Sequence, residues 1–428
     1  MNTYIHPLQI AQALERGYHT APFLQGMSAA TLAWLKGGVR QVYCAPPRHG
    51  KSVLLCRYAV ACFLLYFPKA QVIIAANSAR TAQQHMYAVA NILSTLALQG
   101  EIVPTPISVN QYRAQLQGGG LIHAIGIRST ALGLGGDLIV LDDPYRHILD
   151  AYSARVREQV ESWFFGTLMS RLHPNGSIAV VQQRMHPDDI AGKLIALGWE
   201  SFTHPAIGQD GNALFPQRYS IQALQEIREQ IGERFFAALY QQAPLPDSGT
   251  LFITDYFAHR YTALPTDLYR VLSVDTAVSV KDSADYTALA LWGWNGQQAY
   301  LIDMYRARLS YPELKRLLLS YHSKADLVVV EDANIGSALR QDLARAGLRV
   351  VAYQPRLKKE LRALKVIALF ENGRVWLPQS HPHLHAWLQE HLQFPAGEHD
   401  DFVDTTVMAL ETLITDTARP NRWRVLVP

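Results

Sequence analysis

The segment APPRHGKS, from Ala45 to Ser52, joins an apolar strand-like run to an apolar helical run. Glycine, lysine and a hydroxyl residue in succession at such a junction are typical of a phosphate-binding loop, where backbone N–H groups at the start of a helix face an anion. In this interpretation Lys51 contacts nucleotide phosphates and Ser52 binds Mg²⁺. The residues expected around the phosphates are Pro46, Pro47, Arg48, His49, Gly50, Lys51 and Ser52.

The match to the pattern GxxxxGK[ST] is incomplete, because Ala45 stands where the first glycine is expected. A helix-capping turn explains a GKS triplet on its own, but a second motif argues against that alternative. The apolar run LIVLDDP, from Leu138 to Pro144, ends in two carboxylates, as a Walker B strand does. We expect Asp142 to hold the Mg²⁺ hydration shell of bound ATP, and Asp143 to orient the attacking water where a glutamate is usual. An Asp-Asp-Pro turn is the alternative for this motif alone.

A third run, SIAVVQQRMHPDD from Ser177 to Asp189, is an apolar strand with a polar end. Gln183 and Arg184 are candidates there for sensing the γ-phosphate, so that Arg184 joins the predicted nucleotide-binding residues. A strand that simply ends at the surface is the alternative.

Between residues 41 and 200 short apolar runs alternate with helical stretches, which predicts an α/β domain with a parallel sheet. The predicted strands are Gln41 to Cys44, Val72 to Ala76, Leu121 to Ile125, Leu138 to Asp142 and Ser177 to Gln183. The predicted helices are Lys51 to Phe67, Ala79 to Leu98, Ser153 to Arg171 and Asp188 to Leu197.

The proline-rich stretch QAPLPDSG, from Gln242 to Gly249, predicts a linker, because a new strand-rich pattern follows it. Three strand-like runs, a helix, a further strand and a final helix starting near Asp400 then predict an RNase H-like domain with a mixed sheet. These predicted elements are Arg270 to Asp275, Thr287 to Trp294, Gln298 to Met304, Tyr311 to Ser323 and Leu327 to Glu331. The expected domains are 1–241, with a core at about 30–205 and a helical region at 206–241, and 255–428, joined by the linker 242–254.

Acidic residues stand at three points of this second domain. Asp275 and Glu331 each end an apolar strand, and Asp401 and Asp404 lie three residues apart at the start of an apolar helix. Such carboxylates can converge on two Mg²⁺ or Mn²⁺ ions about 4 Å apart, as in phosphodiester hydrolysis. Each acid alone could instead open a turn or interact with its helix N-terminus. The tract KKELR, from Lys358 to Arg362, offers phosphate contacts or a solvated face.

The composition fits a two-domain globular protein and sets few further limits. Hydrophobic residues make up 49% and charged residues 18% of the 428, and the net charge is +3, so that any nucleic-acid contact needs a local basic surface. No apolar run is long enough for a bilayer, and the first residues lack an export signal, which predicts a cytosolic protein. The three cysteines, Cys44, Cys56 and Cys62, are expected to be buried, reduced thiols.

In the order of these motifs the chain resembles the large terminase subunit of tailed double-stranded DNA viruses or their prophage relatives. The motifs that carry the resemblance are PPRHGKS (Pro46 to Ser52), ALGLGGDLIVLDDP (Ala131 to Pro144), RMHPDDIAGKL (Arg184 to Leu194), YQQAPLPDSGTLF (Tyr240 to Phe252), VDTA (Val274 to Ala277), GRVWLP (Gly373 to Pro378) and FPAGEHDDFVD (Phe394 to Asp404). Many relatives have threonine where Gln183 stands.

The resemblance implies a RecA-like (ASCE) ATPase that moves viral double-stranded DNA into a procapsid, and a nuclease that cuts the concatemer. It also implies a portal protein and a small terminase subunit as partners, a ring of copies on the portal, and action in the host cytoplasm. An arginine finger is implied as well, with Arg48 and Arg128 as candidates.

Two other functions fit some of the motifs. A helicase, repair or transposition enzyme would keep the phosphate-binding loop and use the C-terminal acids for strand transfer or repair. A DNA-binding scaffold with decayed sites is the other alternative, and the intact Lys51, Asp142, Asp275 and Glu331 argue against decay.

Overall fold

The structure is a computed structural model that describes residues 5–131, 133–245, 251–276, 286–332, 336–355 and 357–415. The chain divides into two compact units, Met1–Pro246 and Asp247–Pro428. This division falls within residues 242–254, where the composition predicts a linker. Among the helices in the described ranges, none combines the length and the apolar character needed to cross a membrane.

The first unit is an α/β domain. Its strands are β1 (Arg40–Cys44), β2 (Gln71–Ala76), β3 (Pro106–Val109), β4 (Arg113–Leu116), β5 (Leu121–Gly126), β6 (Gly136–Asp142), β7 (Leu172–Gln182) and β8 (Glu200–Thr203). Its helices are α1 (Pro7–Leu14), α2 (Pro22–Ala30), α3 (Lys51–Val53), α4 (Ala59–Tyr66), α5 (Ala79–Leu98), α6 (Ile148–Tyr152), α7 (Ala154–Trp163), α8 (Ile190–Ala196), α9 (Ile221–Ile231) and α10 (Glu233–Leu239).

The sheet of this unit has the order β3-β4-β5-β2-β6-β7-β1-β8. All neighbours from β5 to β8 in this order are parallel, while β3 and β4 form an antiparallel hairpin at one edge. Because β7 alone separates β1 from β6, the loop after β1 and the acids at the end of β6 come to the same edge of the sheet. This order positions the candidate nucleotide site.

Helices cover both faces of the sheet, which explains the uninterrupted apolar runs of its central strands. Val72 and Ile74 of β2 pack into the core formed with α4 and α5. The alternate residues Ile73 and Ala75 pack into the opposite core, formed with α7 and α8. A π-helical turn, Leu54–Tyr58, joins α3 to α4, so that Lys51 to Tyr66 form one continuous helix.

The five strands and four helices predicted in this part of the chain are confirmed, with shifts at their ends. Strand β7 begins at Leu172 rather than Ser177, because Leu172 already pairs with Gly136 of β6, before a register shift that precedes the pair Leu138–Ser177. The predicted helix Ser153 to Arg171 changes into a π-helical turn at Phe164–Leu168 and a 3₁₀ turn after it. The hairpin β3–β4, strand β8 and helices α1 and α2 were not predicted, since they are short and only partly apolar.

The second unit has a mixed sheet. Its strands are β9 (Arg260–Tyr261), β10 (Tyr269–Asp275), β11 (Thr287–Trp294), β12 (Ala299–Ala307), β13 (Leu327–Glu331), β14 (Val350–Tyr353) and β15 (Val375–Pro378). Its helices are a 3₁₀ turn at Thr254–Phe257, α11 (Tyr311–Leu319), α12 (Gly336–Arg345), α13 (Lys359–Glu371), α14 (Leu384–Gln393) and α15 (Asp401–Thr415).

The strand order is β14-β13-β10-β11-β12-β15-β9. Strands β10, β11 and β12 are antiparallel neighbours, and β13 joins β10 in parallel, which confirms the predicted RNase H-like arrangement. Val274 pairs with Val330, so the next residues, Asp275 and Glu331, lie side by side at the ends of neighbouring strands. The hydroxyl of Ser273 donates to the carbonyl of Thr405 at 2.7 Å and holds α15 against β10.

Candidate active sites

The phosphate-binding loop has the backbone of a tight turn into a helix. Arg48 and Gly50 have positive φ values of 59° and 92°, which at position 50 favours glycine. Helix α3 begins directly after Gly50, and its first intrahelical bond runs from the N–H of Leu54 to the carbonyl of Gly50. The N–H groups of the first turn therefore have no intrahelical acceptor and can bind an anion.

Side chains from the segment after β8 support this loop. The His49 ring is fully buried, forms a 2.8 Å hydrogen bond with the Pro47 carbonyl, and stacks on Tyr219 with ring centres 5.0 Å apart. Arg218 donates through Nη1 to the carbonyl of Arg48 at 2.7 Å. Burial lowers the pKa of His49, so the ring is neutral. The His49 side chain thus supports the loop from within through Nδ1 and its stacked ring, while Nε2 has no hydrogen-bond partner among the described residues.

The acidic pair lies at the end of β6, beside Lys51. Nζ of Lys51 is 3.6 Å from Oδ2 of Asp143, whose backbone has a φ of 35°. Oδ1 of Asp143 accepts from the N–H of Gln183 at 3.2 Å, which ties this acid to the end of β7. Burial raises the pKa of Asp143 against the opposing charge of Lys51, and neighbouring Asp142 raises it further. A raised pKa suits a group that exchanges a proton with water.

Asp142 is buried and holds a hydrogen bond that the sequence did not reveal. Its Oδ2 is 2.8 Å from Nε2 of His85 on α5, and His85 Nδ1 accepts from Nε of Arg57 at 3.1 Å. Burial alone would raise the pKa of Asp142, but the hydrogen bond and charge of His85, with Lys51 and Ser52, lower it. Oδ1 of Asp142 accepts no hydrogen bond of ordinary geometry within the described part of the chain, although the Ser52 hydroxyl is near enough to Asp142 to stabilise its anion. This buried oxygen beside Ser52 fits the Mg²⁺ site predicted from the sequence.

The structure pairs Arg184 with residues outside the phosphate-binding loop. Its guanidinium donates to Asp189 at 3.0 Å and to the Pro187 carbonyl at 3.1 Å, while its N–H donates to Gln242. These contacts close the turn before α8, so the sensor role of Arg184 is not supported by them. The Gln183 amide oxygen is buried and has no partner among the residues described. The two arginine-finger candidates, Arg48 and Arg128, both have exposed side chains, so exposure does not favour one of them over the other.

The predicted acids of the second unit converge. Asp275 and Glu331 share a side-chain hydrogen bond, and Asp404 and Asp401 are close enough to act on Asp275 electrostatically. Burial, then the charges of Glu331, Asp404 and Asp401, raise the pKa of Asp275 well above its ordinary value. Carboxylates that repel one another in this way are a favourable environment for divalent cations.

The two acids of α15 have different partners. Asp404 accepts from Arg362 Nη2 at 2.9 Å and from Lys359 Nζ at 2.7 Å, which occupies both of its oxygens. Oδ2 of Asp401 is buried without a hydrogen bond from any described residue, although Arg306 Nη1 lies 3.6 Å away. Asp401 therefore fits a metal ligand better than Asp404, and the basic residues in the first turn of α13 bind acids of their own domain.

Glu390 and Arg306 fix the start of α15, and no sequence pattern indicated either residue. The buried Glu390 carboxylate accepts from the N–H groups of Phe402 and Val403, while Arg306 donates to its second oxygen at 2.6 Å. Burial raises the pKa of Glu390 to about 7. Since helix N-termini attract anions, this side chain sets where the helix with Asp401 begins.

Comparisons with known proteins agree with this geometry. Residues 272–413 match the family model described as the terminase RNaseH-like domain. The large terminase of a thermophilic bacteriophage, in crystal form 2, has a TM-score of 0.55 and 11% identity, over 92% of this chain and 99% of that chain. The complex of that terminase with ADP has a TM-score of 0.55 and 11% identity, over 92% and 100%. Its complex with ATP-gamma-S has a TM-score of 0.52 and 11% identity, over 92% and 99%.

No curated protein matches the chain. At 11% identity the likeness to the thermophilic phage protein concerns the fold, and it extends over both units. Residues 272–413 of the second unit are thus similar to the terminase RNaseH-like domain, and the chain shares its fold with the large terminase of the thermophilic phage.

Proposed function

We propose that the chain is the large subunit of a phage terminase. Its first domain hydrolyses ATP to move double-stranded DNA into a procapsid, and its second domain cuts the concatemeric genome. The observation that carries the proposal is the presence of two separate polar sites in one chain. Lys51 and the acidic pair form one, and the convergent acids around Asp275 form the other.

In the first site the chain's own groups have distinct roles. The free N–H groups after Gly50 and the ammonium of Lys51 bind the phosphates of ATP. Ser52 and the unpaired oxygen of Asp142 would hold Mg²⁺, which neutralises phosphate charge when bound. Asp143, tied to the N–H of Gln183, orients the attacking water and accepts its proton. The fold shared with a protein that binds ADP and ATP-gamma-S supports this assignment.

In the second site Asp275, Glu331 and Asp401 would hold two divalent ions, Mg²⁺ or Mn²⁺. Bound ions of this kind supply activated water and stabilise the leaving oxygen in phosphodiester hydrolysis. The half-buried, mutually repelling carboxylates and the unpaired oxygen of Asp401 fit such ions. Asp404 has a positioning role, because its two oxygens hold Lys359 and Arg362.

The partners follow from the proposed class. We expect viral double-stranded DNA as substrate, a portal protein and a small terminase subunit as binding partners, and a ring of copies on the portal in the host cytoplasm. The two domains would be 1–241 and 255–428, with the linker 242–254 between them.

A packaging assay tests the proposal directly. The full-length chain is incubated with portal-bearing procapsids, its small subunit, concatemeric DNA and ATP, and the DNA protected from added nuclease is measured. We expect protected DNA that depends on ATP, together with cut ends. ATP-dependent unwinding or strand joining, without protected DNA, would support the helicase or transposition class instead.

A further inference from the structure

A buried histidine connects two charged groups in the first unit. Arg57 lies on the continuous helix that follows the phosphate-binding loop, His85 lies on α5, and Asp142 ends β6. Nε of Arg57 is 3.1 Å from Nδ1 of His85, and Nε2 of His85 is 2.8 Å from Oδ2 of Asp142. His85 is 4% exposed and Asp142 is 3% exposed, so water does not compete for these bonds.

The direction of these hydrogen bonds follows from the chemistry of the groups. A guanidinium N–H can only donate, so Nδ1 of His85 must accept. In a neutral imidazole the other nitrogen then carries the hydrogen, and Nε2 donates to the Asp142 carboxylate. Arg57 thus selects the His85 tautomer that can hold Oδ2 of Asp142.

The same residues could also be considered as a metal site, because ligand atoms of Cys56, His85 and Asp142 all lie within 4.8 Å of one another. Two observations argue against it. Both ring nitrogens of His85 already have partners, and one of those partners is the cationic Arg57. A metal ion would have to displace a hydrogen bond next to a positive charge. The hydrogen-bonded relay from Arg57 through His85 to Asp142 therefore explains the geometry better.

We propose that His85 is a positioning residue that fixes the Asp142 carboxylate through Oδ2 and so presents Oδ1 as the metal-facing oxygen. The proposal rests on the proposed role of Asp142 in binding Mg²⁺ with ATP. It explains why one oxygen of this buried carboxylate has a partner while the other has none in the described part of the chain. Hydrogen-bond partners of metal-binding side chains commonly have this orienting function.

The relay predicts an effect on Mg²⁺ that is separate from nucleotide affinity. Without the His85 bond the carboxylate can rotate, and the metal must order it on binding. We expect His85→Leu to raise the Mg²⁺ concentration for half-maximal effect by about 10- to 100-fold. Binding of the nucleotide in EDTA should be unchanged, because it depends on the loop and Lys51.

The experiment measures binding of a fluorescent, non-hydrolysable ATP analogue to the full-length chain, first in EDTA and then across a Mg²⁺ titration. His85→Gln is the rescue variant, since its amide can both donate to Asp142 and accept from Arg57. Arg57→Leu removes the group that selects the His85 tautomer, and it should also raise the Mg²⁺ concentration for half-maximal effect. His123→Leu removes another buried imidazole from this domain and is the matched control.

The outcomes separate the relay from the proposed function. A folded His85→Leu variant with a wild-type Mg²⁺ midpoint, or a His85→Gln variant as impaired as His85→Leu, would overturn the relay. If His85→Leu does not fold, Arg57→Leu decides in the same way. Mg²⁺-dependent binding with the expected shifts but no ATP hydrolysis by the wild type would keep the relay and remove the ATPase. A wild type whose binding ignores Mg²⁺ would remove both.

Discussion

Nζ of Lys51 lies 3.6 Å from Oδ2 of Asp143, which joins the helix after the phosphate-binding loop to the end of β6. One ammonium therefore serves both the phosphates and the acid proposed to orient water. Lys51→Ala removes the positive charge proposed to contact the phosphates, and the same charge lowers the pKa of Asp143. We expect ATP hydrolysis to fall by about 100-fold or more, and packaging with it, while Mn²⁺-dependent DNA cutting stays at the wild-type level. Phosphate release and plasmid cleavage are measured on the same preparation.

The exposed Lys69 gives the matched control, and Lys69→Ala should hydrolyse ATP like the wild type. Loss of both activities in a well-folded Lys51→Ala variant would contradict the assignment of two independent sites.

The reciprocal prediction concerns Asp275. Removing this carboxylate takes away the centre of the acidic cluster in the second unit. Asp275→Ala should therefore abolish metal-dependent cutting and leave ATP hydrolysis intact, because every carboxylate of this cluster belongs to the second unit. Asp255→Ala, at an exposed position of the same unit, controls for the lost charge. Retained cutting by Asp275→Ala would exclude this cluster as the nuclease.

Much of the fold follows from local sequence. The strands β1 and β6 each contain an apolar run, and the residues that follow these runs carry recognisable chemistry, so their order predicts the α/β domain. The same holds for β10 and β13, whose final acids are in register. The edge hairpin β3–β4 could not be predicted in this way, because its strands have four residues each and β3 is largely exposed.

The supporting residues of both sites could not be predicted in this way. His85 meets Asp142, and Glu390 meets the start of α15, across long stretches of chain and without any fixed spacing. Tyr219 likewise reaches the loop only through the tertiary fold. Sequence patterns identified the groups proposed to do the chemistry, while tertiary packing determines what holds them.

Asp401 and Asp404 should differ when each carboxylate is replaced by its amide. Asp401→Asn removes a proposed metal ligand, and we expect cutting to fall by about 100-fold with stability maintained. Asp404→Asn leaves the buried Arg362 without its anion, while Lys359 keeps Asp400, and should lower the free energy of unfolding by roughly 1–3 kcal/mol. Cleavage assays and urea unfolding distinguish the two. Equal loss of stability in both variants would show that Asp401 has a structural role too.

The stack of His49 on Tyr219 should matter for binding ATP rather than for the chemical step. Tyr219→Ala removes a ring contact that is worth about 1 kcal/mol, which predicts roughly a fivefold rise in KM for ATP with kcat nearly unchanged. Tyr219→Phe retains the ring and should behave like the wild type in steady-state kinetics. A fall in kcat with an unaltered KM would instead place Tyr219 in the hydrolysis step.

Glu390 predicts a pH dependence of stability. The native state raises the pKa of this carboxyl to about 7, above its value in the unfolded chain, so the folded protein binds an extra proton between the two values. Its stabilising contribution is complete at pH values below about 4, and is lost as the pH rises through about 7. The loss is on the order of 3 kcal/mol at most. As the pH rises from about 5 to about 8, the wild type should therefore lose more unfolding free energy than the Glu390→Gln variant does. Urea titrations at several pH values measure it, with the exposed Glu398→Gln as a charge-matched control. A difference that does not vary with pH would mean that the bonds from Phe402 and Val403 keep Glu390 ionised throughout.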